Sequence, residues 1–356
     1  VSSPGTLPGP SAPSGAAAVP VQVAVASAHT AGWPERHAAG LVPDRFPYGL
    51  DRLAAHGFAP ELLGVGAATP LERVSGGLLD GLRFGGRSWR GRGPLLTWEE
   101  RIGVPALASA GRRRPVVSGV VWCTDPGPRA ARSLARRYLP RAAGLFVLSR
   151  AQLPVLASWG LGGPHVRYVP QGVDTGFWAA RTAEPVPGAV VSVGNDRHRD
   201  YATLAAAWRS VRAAHPGATL TLATRRPVEA GEGSRTVQLD HVALREQLYG
   251  TAAVAVVPLV PNVHCSGLTA TLEAMAVGLP VVTTRTAGMD DYVAHGRTGL
   301  LVPPGDPAAL AAAVRELLAD PQRAAEMGRR GAALVRERFS TARMAADLAQ
   351  LLREVA

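Results

Sequence analysis

Apolar positions along the chain fall into short runs separated by stretches of helical period. In the first half, residues 19–27, 58–65, 115–124, 144–149 and 166–170 are apolar runs of strand length. Between them, residues 47–56 predict a short helix that Gly57 stops, 98–102 a helical stretch, and 129–138 a basic helix after the turn 125–128. Ser149 is placed to cap a helix over 150–159. In the second half the strands are 189–193, 218–224, 252–257 and 280–284, with an edge strand at 299–302. The helices there are 201–215, 242–249, 268–277, 307–320, 321–338 and 341–355. Residues 66–114 carry no clean period and are rich in Gly and Arg, with Trp89 and Trp98 among them.

Strands alternating with amphipathic helices build right-handed βαβ units and parallel sheets. The turn-rich, twice-proline stretch 182–188 divides the series in two. The expectation is an α/β chain of two Rossmann-like domains facing a cleft, 20–181 and 182–340, followed by a terminal helix over 341–356. Residues 1–19, rich in Pro, Ser and Gly, are expected to be a disordered leader. Ligands of open parallel sheets bind beyond the carboxyl ends of the strands, so the chemistry belongs in the loops that follow them.

Composition narrows the function. With 47% hydrophobic and 18% charged residues over 356 positions, the chain is too apolar to be disordered. Two cysteines are too few for a disulfide scaffold, which fits a reducing compartment. No apolar run reaches the roughly 18–20 residues that span a bilayer, and the N-terminal stretch lacks a signal peptide's basic start. A cytoplasmic location is expected, with the inner face of the membrane within reach of the charge. The net charge is +11, and every basic residue is Arg. A basic chain raises nucleic-acid binding, but these arginines are scattered and aromatics make up only 5%. The dense run 111–115 reads as a solvated loop. A weak affinity for anionic membrane surfaces is expected ahead of any nucleic-acid partner. The histidines are isolated, with neither His-x-x-x-His nor Cys-x-x-Cys spacing, and no Asp-x-Asp pair is present, so no metal site is expected.

The strongest signal is the block Asn262-Val-His-Cys-Ser-Gly-Leu-Thr-Ala-Thr-Leu-Glu-Ala-Met-Ala-Val-Gly-Leu-Pro-Val-Val282. A strand ends at Pro258, a loop leads to Ser266 and Gly267, and a helix begins at Leu268. The first-turn amides of a helix lack intrahelical partners and carry about half a positive charge, which suits a phosphate. Thr269 and Glu273 are four apart and share one helix face, so Glu273 can accept hydrogen bonds from a sugar diol. This block resembles the donor-binding signature of the GT-B glycosyltransferases, in particular the group 1, family 4-like class. Val193-Gly194, Arg199-Asp-Tyr201, the stretch 296–305 and, in the first half, Val169-Pro-Gln-Gly-Val-Asp-Thr-Gly-Phe177 resemble further segments of that family. The resemblance covers the chain from about Val166 to the C-terminus.

The resemblance implies a GT-B fold whose first domain binds the acceptor and whose second binds a nucleotide-diphosphate sugar, with the last helix crossing back to brace the first. It implies transfer of a sugar, from a uridine-type donor, to a small-molecule or lipid-linked acceptor, without metal or other cofactor. An acceptor from natural-product or cell-envelope biosynthesis is expected. The donor set it implies is Gly194, Asn195, Arg197, Arg199, Asp240, His241, His264, Cys265, Ser266, Gly267, Leu268, Thr269 and Glu273. Cys265 stands where the family often has a second Glu, and Asn195 where it often has an Arg. Arg199 keeps its charge and, with Arg197 and the amides of Ser266, Gly267 and Leu268, would stabilise the departing diphosphate. Asp240 would otherwise be a helix cap. As an acceptor-side base, Asp125 and His29 each end a first-half strand; turn and loop roles are their alternatives. Trp33, Trp89 and Trp98 are candidates for an acceptor groove, with packing as the alternative.

Two other enzyme readings stay open. One is an epimerase or hydrolase of sugar nucleotides on the same fold. The other is a nicotinamide-linked dehydrogenase, which lacks support because neither 25–33 nor 193–201 contains Gly-x-Gly-x-x-Gly. A basic nucleic-acid-binding module is a third, non-enzymatic alternative.

Overall fold

A computed structural model describes residues 17–26, 30–65, 91–109, 114–179, 181 and 184–355. Residues 1–16 of the expected leader, His29, Trp89 and most of the Gly/Arg-rich stretch lie outside the described residues. The described chain forms two six-stranded sheets. The first holds β1 (Val19–Ala26), β2 (Phe58–Val65), β3 (Leu95–Thr97), β4 (Val116–Gly119), β5 (Gly144–Val147) and β6 (Val166–Tyr168), in the order β2-β1-β3-β4-β5-β6. The second holds β7 (Ala189–Val193), β8 (Thr219–Ala223), β9 (Ser234–Val237), β10 (Val254–Val257), β11 (Val281–Thr284) and β12 (Leu300–Val302), in the order β12-β11-β10-β7-β8-β9. All the paired strands are parallel. Strands covered on both faces are largely apolar, and β10 and β11 are buried at every position, the buried Thr283 hydroxyl of β11 donating to Val257 O. This is the two-sheet α/β architecture of the GT-B fold.

Several elements depart from the sequence expectation: Trp33–Ala38 is an additional helix, and the helical stretch expected at 98–102 runs over Glu100–Ser109. The apolar run 115–124 is a strand only over Val116–Gly119. Glu100 explains the break: its buried carboxylate accepts the amides of Val121 (2.7 Å), Trp122 (2.9 Å) and Cys123 (2.8 Å). Those amides therefore serve a turn rather than a ladder. The side chain of Gln152 fastens the same turn, donating to Val120 O (2.9 Å) and Thr124 Oγ1 (3.0 Å). β3 and β9 are additional strands. The exposed middle of β9, Arg235 and Thr236, hides it from a hydrophobic scan.

The last helix, Thr341–Val355, crosses to the first half. Met344, Leu348, Ala349, Leu351 and Leu352 join a core with Val21, Val23, Leu50, Leu53 and Phe146. Its start is pinned at Asp44, whose carboxylate accepts from Arg52 Nε (2.6 Å) and from Thr341 Oγ1 (3.1 Å). Burial, aided by nearby Asp174, pushes the Asp44 carboxyl up to about 7. Gly49 holds a positive φ of 68° at this crossing, and a Cβ there would collide with Thr341.

Leu348 is fully buried in that shared core. Leu348→Ala is expected to destabilise the protein by about 2–5 kcal/mol. Urea unfolding followed by circular dichroism measures it, and a loss below 1 kcal/mol would mean that the helix does not carry the packing described.

Candidate functional site

The site lies between the carboxyl end of β7, the loop after β10 and the turn after β4. Arg199 is its centre. The residue is 5% exposed, and its Nε and Nη1 have no hydrogen-bond partner among the described residues. Its guanidinium lies against two glycines: a Cβ on Gly194 or on Gly267 would collide with it. Both glycines have positive φ, 149° and 79°. Gly267 caps the start of the Leu268–Ala276 helix. The amides of Gly267 and Leu268 make no hydrogen bond among the described residues. A cation, a helix N-terminus and two open amides therefore converge, which is the donor set of an anion site. Burial lowers the Arg199 pKa, partly opposed by Tyr201 and Asp196, yet a guanidinium stays charged.

The loop carrying Arg199 is held from behind. Asp200 caps the Tyr201–Ala214 helix, accepting from Thr203 N at 3.0 Å. Tyr201 donates to Gly194 O at 2.6 Å. Arg226 Nη1 donates to the carbonyls of Asp196 (3.2 Å) and Arg199 (3.1 Å). Glu273 is buried one helical turn inside the anion site. Burial pushes its carboxyl up to about 8, in spite of Arg199 nearby.

The structure moves several residues from their expected roles. Ser266 N donates to Asn262 Oδ1 at 2.8 Å, so the amide set reduces to Gly267 and Leu268. Asn195 Oδ1 accepts from Thr224 Oγ1 (3.2 Å) and Arg225 N (2.6 Å), which fastens two loops and takes up that oxygen. Asp240 caps the helix starting at His241, accepting from Ala243 N at 2.8 Å. His241 packs edge-on against Trp33, 5.7 Å between rings. Thr269 is exposed and accepts from Gln171 Nε2 at 2.7 Å, a contact between the two halves. Cys265 is buried with φ at 60°, and burial pushes its thiol up, so it offers no nucleophile. Trp98 stacks on Tyr48 at 4.0 Å and is core.

Asp125 is not free to act as a base. Its carboxylate accepts Val263 N (2.6 Å) and His264 N (3.3 Å) and is bonded to His264 Nδ1. Burial pushes the carboxyl up, but His264 and the two amides outweigh it and hold it below the usual range. Asp125 thus ties the first half to the loop that enters the Leu268–Ala276 helix. Beside it opens a cavity of about 320 Å³, lined by Trp122, Arg101, Arg132, Val104 and Ala131, with Asp196 and Arg197 at its edge. Sequence reasoning missed Trp122, Asp196 and His198. The last two sit in Asn195-Asp-Arg-His-Arg199, next to residues it did single out.

Comparison with known proteins bears on the fold and on the second half of the chain. Residues 187–320 match the family described as glycosyl transferases group 1. The sucrose-phosphate synthase structure from Thermosynechococcus elongatus superposes with a TM-score of 0.73 at 21% identity, covering 94% of this chain and 98% of that one. The chain thus has a GT-B fold whose second half matches group 1 glycosyl transferases. An Anabaena HepE structure solved with UDP and glucose superposes at 0.64 and 16% identity, over 94% of this chain and 99% of that one. Among curated relatives, a glycogen synthase of Mycobacterium tuberculosis is 33% identical over 186 residues, 48% of this chain and 44% of that protein. An α-maltose-1-phosphate synthase of Mycolicibacterium smegmatis is 32% identical over 220 residues, 53% of this chain and 57% of that protein. The matches span less than two thirds of either relative. No described helix of this glycosyltransferase domain is long and apolar enough to cross a membrane.

The raised carboxyl of Glu273 makes a pH prediction. The folded protein holds a proton on Glu273 up to about pH 8, whereas the unfolded chain releases it near 4.5. The folded state thus binds more protons in that window, and this group's contribution to stability falls as pH rises. Glu273→Gln should remove the fall. Urea midpoints at pH 5, 6.5 and 8 should show the wild type losing ground to the variant; parallel curves would contradict it.

Proposed function

We propose that the chain is a glycosyltransferase that moves a sugar from a nucleotide-diphosphate donor, of uridine type, to a small-molecule or lipid-linked acceptor. The observation that carries the reading is the buried Arg199 guanidinium facing two open amides at a helix start. Charge grows on the diphosphate as the glycosidic bond to it breaks. A fixed cation and aligned amides, already desolvated, stabilise that charge without reorganising. The diphosphate charge is met by these protein groups, with no metal bridging it. Glu273, one turn further along the helix, is placed to accept from donor hydroxyls, and His241 and Trp33 flank the expected position of the base.

The acceptor occupies the cavity beside Asp125, on the first half. Trp122 gives it an aromatic wall, and its charged lining is mixed, with Arg101, Arg132 and Arg197 set against Glu100, Asp125 and Asp196. The helix Arg129–Tyr138 beside it exposes Arg136 and Arg137, which supports contact with an anionic membrane surface and so a cytoplasmic enzyme working at the inner leaflet. Natural-product or cell-envelope glycosylation fits such an acceptor.

UDP should raise the melting temperature of the full chain, because a ligand of the folded state stabilises it. Arg199→Ala should weaken UDP binding by about 1.5–3 kcal/mol, the loss of a charged hydrogen-bonding partner. Glu273→Ala should weaken binding of UDP-sugar more than of UDP. Titration calorimetry on folded variants measures both. Unchanged UDP affinity in Arg199→Ala would remove the diphosphate from this site.

A further inference from the structure

A second constellation stands next to the anion site. Asp196, His198 and His264 each bring one ligand atom to within 4.8 Å of the other two. Asp196 and His198 come from the loop after β7, and His264 from the loop after β10, so the sheet order that places β7 beside β10 creates the cluster. His264 is 4% exposed, and its Nε2 has no hydrogen-bond partner among the described residues. Leaving such a nitrogen unpaired is unfavourable, so a ligand that uses its lone pair is favoured there. Its other nitrogen is bonded to the Asp125 carboxylate. The His198 ring stands across from it, 4.8 Å between ring centres at an angle of 60°. Asp196 fixes His198 in turn, accepting its backbone N–H at 2.6 Å and contacting Nδ1 at 3.0 Å.

We propose that Asp196, His198 and His264 bind one divalent transition-metal ion, with Asp125 as the carboxylate that orients His264 and an open coordination position toward the cavity. Two imidazoles and a carboxylate are the nitrogen and oxygen donors that suit Zn²⁺, and three protein ligands leave a fourth place for an exchangeable oxygen. A carboxylate behind a ligating histidine fixes the ring and raises its basicity. At metal–ligand bonds of about 2.0–2.2 Å a tetrahedral set holds its ligand atoms about 3.3–3.6 Å apart, so the widest separation closes by up to about 1.5 Å on binding, a movement that falls to the partly exposed Asp196 and His198 side chains. Asp196 and Asp125 both line the cavity, so the open position meets an oxygen of the molecule bound there. The diphosphate remains on Arg199. Because Asp125 belongs to the first half and the ligands to the second, the ion also reports on how the halves are joined.

The test uses the full-length chain without a polyhistidine tag, stripped with EDTA and titrated with ZnCl₂ by calorimetry. Metal content after gel filtration is read by mass spectrometry. One Zn²⁺ per chain is expected. His198→Ala and His264→Ala should abolish the stoichiometric site, and Asp125→Asn should weaken it by about 10–100-fold. Circular dichroism checks folding, and should His264→Ala fail to fold, His198→Ala decides. No uptake, or equal uptake by all variants, overturns the assignment. The UDP-induced thermal shift is measured in EDTA alongside. If the titration shows no Zn²⁺ uptake while UDP still shifts the melting temperature in EDTA, the ion site alone falls, whereas a lost UDP shift strikes at the diphosphate reading.

Discussion

A buried guanidinium without a contacting counter-charge is the constraint around which this fold is arranged. Arg199 sits between two backbone turns that only glycine permits, because any Cβ at Gly194 or Gly267 would occupy its space. Holding a cation there is unfavourable, and the surrounding groups limit that cost without cancelling it. Tyr201, Asp196, Tyr249 and Glu273 all favour the charged form, yet none forms an ion pair with it. The carboxyl of Glu273 stays protonated to about pH 8, so it supplies little of the missing negative charge at neutral pH. An anion entering the site finds a cation that no protein group has neutralised, and its binding relieves part of the burial penalty.

The second constraint is Asp125. One carboxylate on the first sheet's side receives two amides and an imidazole from the loop that leads to the Leu268–Ala276 helix. Its own position depends on Glu100, which bends the chain after β4 by taking three consecutive amides, and on Gln152, which ties that bend to Thr124. Two buried side chains thus set the geometry of a contact far from either in sequence. The halves are also joined through Gln171 and Thr269, and by the terminal helix packed on the first-half core. Closure of the site is a property of these few polar contacts combined with one apolar helix face.

Much of the fold was legible because parallel strands buried on both faces are written as apolar runs, and helices such as Pro321–Arg338 and Thr341–Val355 begin at recognisable caps. β9 escaped because its middle is exposed, and the break after β4 because a carboxylate on another helix causes it. The convergence of Arg199 with the glycine turn and the helix start was legible because each lies in a short sequence motif. What pattern reading missed is what tertiary contact decides. Ser266 lost its amide to Asn262, and Asp240 spends its carboxylate on a cap. His198 and His264, separated by 66 positions in the numbering, meet only because β7 and β10 are neighbours. Metal-ligand spacing searches look along the chain, and this cluster has no such spacing.

The state of Asp125 bears on how an acceptor hydroxyl would lose its proton in the proposed reaction. A carboxylate that already receives three donors and titrates below its usual range is a poor base, since protonating it would break bonds that fix the site. The hydrogen-bonded Nδ1 of His264 directs the remaining lone pair to Nε2, which no protein group uses. The same lone pair can accept a proton or ligate an ion, but it cannot do both at once. With Zn²⁺ bound, an acceptor oxygen at the open position would be acidified by the ion and no separate base would be required. Without it, that nitrogen is left as an unused acceptor beside the cavity-lining Asp125 and Asp196. In the proposed reaction, the occupancy of that one imidazole nitrogen would therefore set how the acceptor hydroxyl loses its proton.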